Sequence, residues 1–196
     1  MAGSPDHPLA LKGNAALTIV IVGKFLPHNS RPPFDNVLFI GDPAGEGTGN
    51  PGRPTAALIE IDRSKGEASL DFAGGWSHDA KFGARGMAPL QAGPVILTFV
   101  KPSGPMTNVR VFHNGTPGSP PTGTKAPLEL KHRSDVGVSI GKVATWGGSI
   151  NAELAEVIVF NKALAEAERK ALETTLGERY NLSANREKEI AAATRH

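Results

Sequence analysis

The 196-residue sequence contains no cysteine. This absence excludes disulfide bonds, thiolate metal sites and a cysteine nucleophile. It also favours a bacterial or phage protein over a eukaryotic secreted domain, because domains of that class usually carry at least one disulfide.

Long hydrophobic runs are missing as well. The first apolar stretch, AALTIVIVGKF (15–25), is broken by Lys24 and is too short to cross a bilayer. Residues 1–8 lack the charged start of a secretory signal. We therefore predict no membrane span. The compartment stays open between a protein made and kept without export, a virion-associated protein and a piece of a longer exported protein.

An excess of either charge is also lacking. Lysine and arginine number 21 against 19 acidic residues, which gives a formal net charge of +2. The basic residues are spread along the chain, and aromatic residues make up only 6% of it. The basic stripe with interleaved aromatics that marks nucleic-acid binding is absent, so we predict no nucleic-acid partner.

Glycine and proline are plentiful, at 23 and 16 residues. They separate short, β-branched apolar runs, a pattern typical of an all-β sandwich or barrel. The predicted strands are residues 17–25, 36–42, 56–62, 68–74, 95–101, 108–114, 136–142 and 153–161. Two segments dense in glycine and proline, 41–55 and 114–127, are predicted to be long surface loops without regular structure.

The chain ends in a predicted amphipathic helix after Asn161. Its apolar stripe is expected to contain Leu164, Ala167, Ala171, Leu172 and Leu176, and its solvated side Glu166, Glu168, Arg169, Lys170 and Glu173. A helix this short is marginal alone, so we expect it to pack on an open edge or end of the sandwich. Residues 183–196 form a charged tail that continues as a short helix, stays solvated or docks on a partner.

The segment ELAEVIVFNKALAEAERKALETTLGERYNL (153–182) resembles the C-terminal signature of the bacterial laminin-G-like branch of the concanavalin A-like lectin/glucanase superfamily. VRVFHNGT (109–116) and VSIGK (138–142) are similar to two further strands of that family. The resemblance implies one domain over residues 1–182, a two-sheet antiparallel jelly roll with one C-terminal helix, followed by the tail. Ala165 departs from the family pattern, which has a helix-capping serine there, so half of the capping box is lost.

Five residues are candidate ligand-binding residues: Trp76, His78, Asp79, Asn114 and Trp146. Both tryptophans lie in glycine-rich segments, where an exposed indole stacks on a sugar ring and neighbouring polar groups bind its hydroxyls. The alternative is that each tryptophan plugs an end of the sandwich. We predict no catalytic residue and no cofactor. The histidines lack metal-ligand spacing, and Ca²⁺, which is common in the superfamily, cannot be assigned to particular residues.

The segment EID (60–62) places two carboxylates on one face of a strand, as glycoside hydrolysis requires. Retaining glucanases of the superfamily read E-[ILV]-D-x-x-E, and this chain has no third acid at either Ser64 or Lys65. Glu67 is out of step with that pattern, so Glu60 and Asp62 are predicted to form a solvated strand face.

Three functions remain open on these grounds. The first is a non-catalytic recognition module that binds a glycan or a protein surface through rim loops. The second is a phage virion structural protein, a capsid decoration or fibre protein, which forms homo-oligomer or capsid contacts through its C-terminal tail. A glucan-active hydrolase is a distant third.

Overall fold

A computed structural model describes residues 16–27, 34–41, 56–62, 69–73, 80–123, 137–141 and 148–182, and every structural statement below refers to these residues. Within them, two β-sheets stack face to face, and two helices pack on the sheets. The prediction of an all-β sandwich with a C-terminal helix is confirmed.

The twelve strands are β1 (Leu17–Phe25), β2 (Phe34–Gly41), β3 (Ala56–Asp62), β4 (Ser69–Ala73), β5 (Ala80–Lys81), β6 (Pro94–Lys101), β7 (Arg110–His113), β8 (Thr116–Pro117), β9 (Thr122–Gly123), β10 (Gly137–Ile140), β11 (Gly148–Ser149) and β12 (Ala152–Phe160). The helices are α1 (Gly83–Gln91) and α2 (Glu166–Arg179), and a 3₁₀ turn covers Met106–Asn108. All eight predicted strands are present. The two-residue strands β5, β8, β9 and β11 were not predicted, because two residues cannot show an alternating pattern.

The strand order of the five-stranded sheet is β12-β1-β6-β7-β8, and all its pairs are antiparallel. The seven-stranded sheet has the order β10-β2-β3-β4-β5-β9, and β11 adds a short parallel pair at β2. The central strand β1 is buried on both faces. Ile19 and Ile21 face the core between the sheets, whereas Val20 and Val22 pack under α2. A strand covered on both faces must be apolar on both, as β1 is from Ile19 to Val22.

The main core fills the space between the two sheets. The five-stranded sheet contributes Leu97, Phe99 and Val111, and the seven-stranded sheet contributes residues such as Ile59 and Ile61. All five side chains are at most 2% exposed. Burial of this apolar surface is the main favourable term in folding, and it fixes which side chains of β7 face inward.

Helix α2 lies on the outer face of the five-stranded sheet, where Leu176 and Leu182 pack against Val20, Val22 and Ile96. The prediction that the helix covers an edge or an end was therefore wrong. The outer face of β1 and β6 is apolar, and its burial under the helix removes more apolar surface from water than capping an edge would.

The predicted apolar stripe of α2 was wrong in part. Leu164 and Leu176 are buried and Leu172 is partly buried, but Ala167 and Ala171 are exposed, and Arg169 and Glu173 are buried instead. Ala167 lies two and a half turns before Leu176 and so on the opposite side of the helix. Arg169 and Glu173 lie close to the side of Leu176, and they are tolerated there because they pair with each other.

Helix α1 was not predicted, because Gly83, Gly86 and Pro89 interrupt its sequence with residues unfavourable to helices. Helix α1 is thus an element additional to the predicted C-terminal helix. Gly86 has a packing reason, since a Cβ there would lie 2.8 Å from the Cβ of Phe82. The missing side chain lets α1 lie close against β4, with Leu70 beside it.

Candidate ligand-binding site

Four of the five predicted ligand-binding residues lie outside the described residues. Trp76, His78 and Asp79 belong to residues 74–79, between β4 and β5, and Trp146 belongs to residues 142–147, between β10 and β11. Their role remains a prediction. The fifth, Asn114, lies in the hairpin that joins β7 to β8.

Asn114 forms the tight turn of this hairpin together with Gly115. Both residues have positive φ angles, 48° and 80°, which a two-residue turn with the primed geometry requires. The Asn114 side-chain oxygen accepts a hydrogen bond of 2.7 Å from the Ile96 N–H. The Asn114 N–H donates to the Ile96 carbonyl at 2.9 Å. The turn is thus anchored to β6, and the prediction that 114–127 is irregular is wrong for the hairpin and β9.

The hairpin forms one wall of a cleft of about 410 Å³, with α1 and Leu182 opposite. We call it the histidine cleft. Its lining residues are Arg85, Pro89, Ala92, Pro94, His113, Asn114, Thr116, Pro117, Gly118, Ser119 and Leu182. Apolar proline and leucine side chains thus meet amide, hydroxyl, guanidinium and imidazole groups in one concavity.

His113 is the polar side chain buried most deeply in this cleft. It lies on the same side of β7 as the core residues Val109 and Val111, and it is 7% exposed. Neither ring nitrogen has a hydrogen-bond partner within the described residues. Burial lowers the pKa of His113 below its ordinary value, so the ring is neutral at pH 7, with one N–H donor and one acceptor nitrogen.

Gly118 lies against the edge of this imidazole. A Cβ at Gly118 would lie 3.4 Å from His113 Nε2 and only 2.6 Å from Val111 Cγ1. The Gly118 N–H donates to the Val111 carbonyl at 2.9 Å, which holds the chain there. Glycine is therefore required for this close approach, and no side chain at position 118 covers the ring.

A second cleft, of about 780 Å³, lies between the hairpin and the start of α2. We call it the arginine cleft. Its lining residues are Thr107, Asn108, Val109, Arg110, Val111, Phe112, Gly115, Pro117, Gly118, Ser119, Pro120, Pro121, Leu164, Glu166, Arg169 and Lys170. The two clefts share Pro117, Gly118 and Ser119, so this segment separates them.

Three cations line the arginine cleft, and two of them have carboxylate partners. Arg169 pairs with Glu173 on the buried face of α2, and Lys170 pairs with Glu166 at 2.6 Å on its exposed face. The hydrogen bond from Lys170 is the main reason why the pKa of Glu166 is lowered, and Arg110 contributes. Arg110 itself is exposed and has no carboxylate partner within the described residues.

The aromatic ring of Phe112 interacts with both guanidinium groups of this cleft. The guanidinium carbon of Arg169 lies 3.7 Å from the ring centroid, and that of Arg110 lies 5.8 Å from it. Attraction between a cation and an aromatic face restrains the guanidinium of Arg110 without neutralising its charge. The cleft therefore presents a restrained cation with free N–H donors.

The carboxylates of β3 form a third polar cluster. Glu60 lies beside Asn36 of β2 and Asp71 of β4 in the strand pairing, and Ser69 Oγ donates to Asp71 at 3.2 Å. Glu60 and Asp62 are each only 8% exposed, so the prediction of a solvated strand face was wrong. The sequence could not show that Asp71 adjoins Glu60, because that contact depends on strand register.

Metal binding has no support in the part of the chain that the structure describes. No group of three or more histidine or acidic side chains is placed there to hold a metal ion. Among the same residues, neither helix is long and apolar enough to cross a bilayer.

Sequence reasoning missed His113, Arg85 and Arg110 as residues that line the two clefts. The alternation in NVRVFHN was a usable signal for His113, because it places a histidine on the apolar face of a strand. No signal was available for Arg85 and Arg110, since their position in a cleft depends on α1 and on the packing of α2.

Comparisons with known proteins support the fold. No family model and no curated protein matches the sequence. Solved structures do match. The NanB sialidase of Streptococcus pneumoniae, in a structure with optactamide, superposes with a TM-score of 0.52 at 17% identity, over 83% of this chain and 24% of that one. Trypanosoma rangeli sialidase gives 0.50 at 14% identity, over 82% and 22%. A tryptophan-to-alanine mutant of HCR D/C VPI 5995 gives 0.53 at 14% identity, over 83% and 37%.

These similarities concern the β-sandwich alone. The chain spans 22–37% of the length of the solved proteins just described, and their identity to it is at most 17%. The chain therefore shares the β-sandwich fold with one part of each larger protein.

Proposed function

We propose that this chain is a non-catalytic recognition module, laminin-G-like within the concanavalin A-like superfamily, that binds a glycan in the histidine cleft. The observation that carries the proposal is His113, a deeply buried imidazole without a hydrogen-bond partner within the described residues, in a cleft of about 410 Å³. A buried polar group without a partner costs about 1–3 kcal/mol. Both ring nitrogens are covered in the structure, so a ligand hydroxyl that displaces the covering residues and hydrogen-bonds to the ring recovers that free energy.

A sugar matches the chemistry of this cleft. A hydroxyl both donates and accepts, as does a neutral imidazole. Thr116 and Ser119 add hydroxyl groups, and Arg85 adds N–H donors, while Pro89 and Leu182 supply apolar surface. Sites for small ligands usually combine apolar walls with a few converging polar groups, and volumes of about 300–1,000 Å³ are typical.

The comparisons add support for carbohydrate as the partner class. Two of the similar structures are sialidases, a name that denotes action on a sugar. The proposal applies to this chain alone and gives it no part in the chemistry of those enzymes.

The test is binding of glycans to the full chain, read at the imidazole of His113. We expect hits on a glycan array, and sugars found there should shift the His113 ring resonances in long-range ¹H–¹⁵N NMR spectra. His113→Leu should weaken binding at least about tenfold through the lost hydrogen bonds and should leave the fold intact.

Thr98→Val is the matched control. It also removes a buried polar atom that has no partner within the described residues, but Thr98 lines neither cleft. We expect this variant to bind as the wild type does. A blank array, together with ring resonances that no sugar shifts, would disprove glycan recognition in this cleft.

A glucan-active hydrolase is the second candidate, and the buried row of Asn36, Glu60 and Asp71 favours it. Closely spaced carboxylates in a buried setting are what glycoside hydrolysis uses. If polysaccharide turnover were measured and Glu60→Gln abolished it, the non-catalytic proposal would fall.

The virion alternative rests on residues 183–196, which lie outside the described residues. Light scattering tests it, since an assembly protein should form a defined oligomer that is lost when the tail is removed. A chain that is monomeric both with and without residues 183–196 would argue against this alternative.

A further inference from the structure

We infer that the histidine cleft and the arginine cleft are two subsites of one binding site, which takes successive residues of an acidic oligosaccharide. The acid group in the second subsite is a carboxylate or a sulfate bound by Arg110. This inference rests on the proposed glycan recognition in the histidine cleft and extends it to the class of glycan.

The first argument is continuity. Pro117, Gly118 and Ser119 line both clefts, so the two clefts meet at this segment beside the last strand of the sheet. Gly118 has no side chain, and it is drawn towards β7 by its hydrogen bond to Val111. A chain molecule seated in one cleft therefore reaches the other by passing over this segment.

The second argument is charge. Arg110 and Arg85 each line one of the two clefts, and neither has a carboxylate partner within the described residues. The other two cations of the arginine cleft, Arg169 and Lys170, are already neutralised by carboxylates of α2. A glycan with an acid group on each residue thus meets one available guanidinium in each cleft.

The third argument is geometry. A guanidinium is planar and binds a carboxylate or sulfate through two parallel hydrogen bonds. The Phe112 ring restrains the Arg110 group before any ligand arrives, so less conformational freedom is lost on binding. A neutral sugar can accept hydrogen bonds from Arg110 but lacks the negative charge that this guanidinium attracts.

The experiment is calorimetric titration of the full chain with galacturonate oligomers of increasing length, from the monomer upward. We expect affinity to rise with length until both clefts are filled, and neutral xylose oligomers of equal length to bind more weakly. Arg110→Gln should remove the gain from length, a loss of about tenfold to a hundredfold for the longer oligomers.

Lys24→Gln is the matched control, because it removes one positive charge from an exposed position that lines neither cleft. Its effect on the longer oligomers should be less than about twofold at 0.15 M salt, since distant surface charges are screened. Chondroitin sulfate oligomers identify the oxyanion. Preference for them would support an acidic ligand with sulfate in the second subsite.

Two negative results have different meanings. If monomers shift the His113 resonances but longer acidic oligomers bind no better, in the wild type as in Arg110→Gln, the two-subsite inference is wrong and the proposed function stands. If no sugar of any length shifts those resonances, the proposed function is wrong and this inference falls with it.

Discussion

The ion pair between Arg169 and Glu173 gives a sharp test of how α2 is held on the sheet. Both side chains are buried, with 4% and 5% of their surface exposed, and they occupy the face of the helix that contacts the sandwich. Arg169 also lies over the ring of Phe112, at 3.7 Å from its centroid. We predict that Arg169→Met destabilises the protein strongly.

The expected magnitude follows from what remains after the substitution. Methionine keeps most of the apolar volume, so the main effect is a buried Glu173 carboxylate without its cation. One Glu173 oxygen already has no hydrogen-bond partner within the described residues. Removal of one member of a buried pair typically costs about 3–5 kcal/mol of unfolding free energy. For a domain of this size, that corresponds to a fall in Tm of about 6–20 °C.

The assay is urea unfolding followed by circular dichroism, with two companion variants. Lys170→Met removes the cation of the Glu166–Lys170 pair, which has the same spacing on the same helix. This pair is exposed, with 61% of the Lys170 side chain and 71% of the Glu166 side chain accessible. Its effect should be less than about 1 kcal/mol. The double variant Arg169→Met/Glu173→Leu should regain most of the lost stability, because it leaves no buried charge.

Two results would refute this reasoning about burial. One is a loss for Arg169→Met no larger than the loss for Lys170→Met. The other is a double variant no more stable than the single one, which would mean that lost contacts with Phe112, and not the orphaned Glu173 carboxylate, account for the effect.

Three further predictions concern single positions. Ala165→Ser supplies the missing hydroxyl acceptor at the N-cap of α2, where the backbone is already extended, and should raise Tm by about 2–4 °C for a gain of about 1 kcal/mol. Burial lowers the pKa of Lys101 from 10.5 to about 8. Between pH 8 and 10.5 the unfolded chain therefore binds more protons than the folded one, so the unfolding free energy should rise by about 3 kcal/mol over this range. Urea titrations at a series of pH values should show that Lys101→Met abolishes the rise. Gly118→Ala places a methyl group against Val111 and His113. It should lower the unfolding free energy in urea by about 1–3 kcal/mol and should also weaken sugar binding. Unchanged stability would contradict the close packing at this position.

The strands of this protein were predictable because their signal is local. Runs of β-branched residues between glycine and proline predicted β1 and β3 with the bounds that the structure has. The apolar residues of β1 are buried on both faces of the sheet. Alternation along β7 also placed Val111 on the core side. Each of these results follows from the two-residue period of a strand, which the sequence shows directly.

The candidate site was largely hidden, because it depends on contacts between distant segments. Gly118 reaches the ring of His113 only through the hairpin, and Asp71 adjoins Glu60 only through the register of β3 and β4. The burial of Arg169 was hidden for another reason. A charged residue in an amphipathic pattern is normally assigned to the solvent side. Arg169 is buried instead because Glu173, one turn later, is buried with it as its partner.

The short segment HNGTPGS (113–119) shows how the end of a sheet and the walls of two clefts arise from the same residues. The Asn114–Gly115 turn reverses the chain with two residues, and Pro117 in β8 has no N–H to donate to a further strand. The sheet therefore stops at β8, and the chain leaves it as the ridge between the two clefts. Gly118 lets that ridge lie against His113, so a substitution that extended the sheet or filled the ridge would alter both clefts at once.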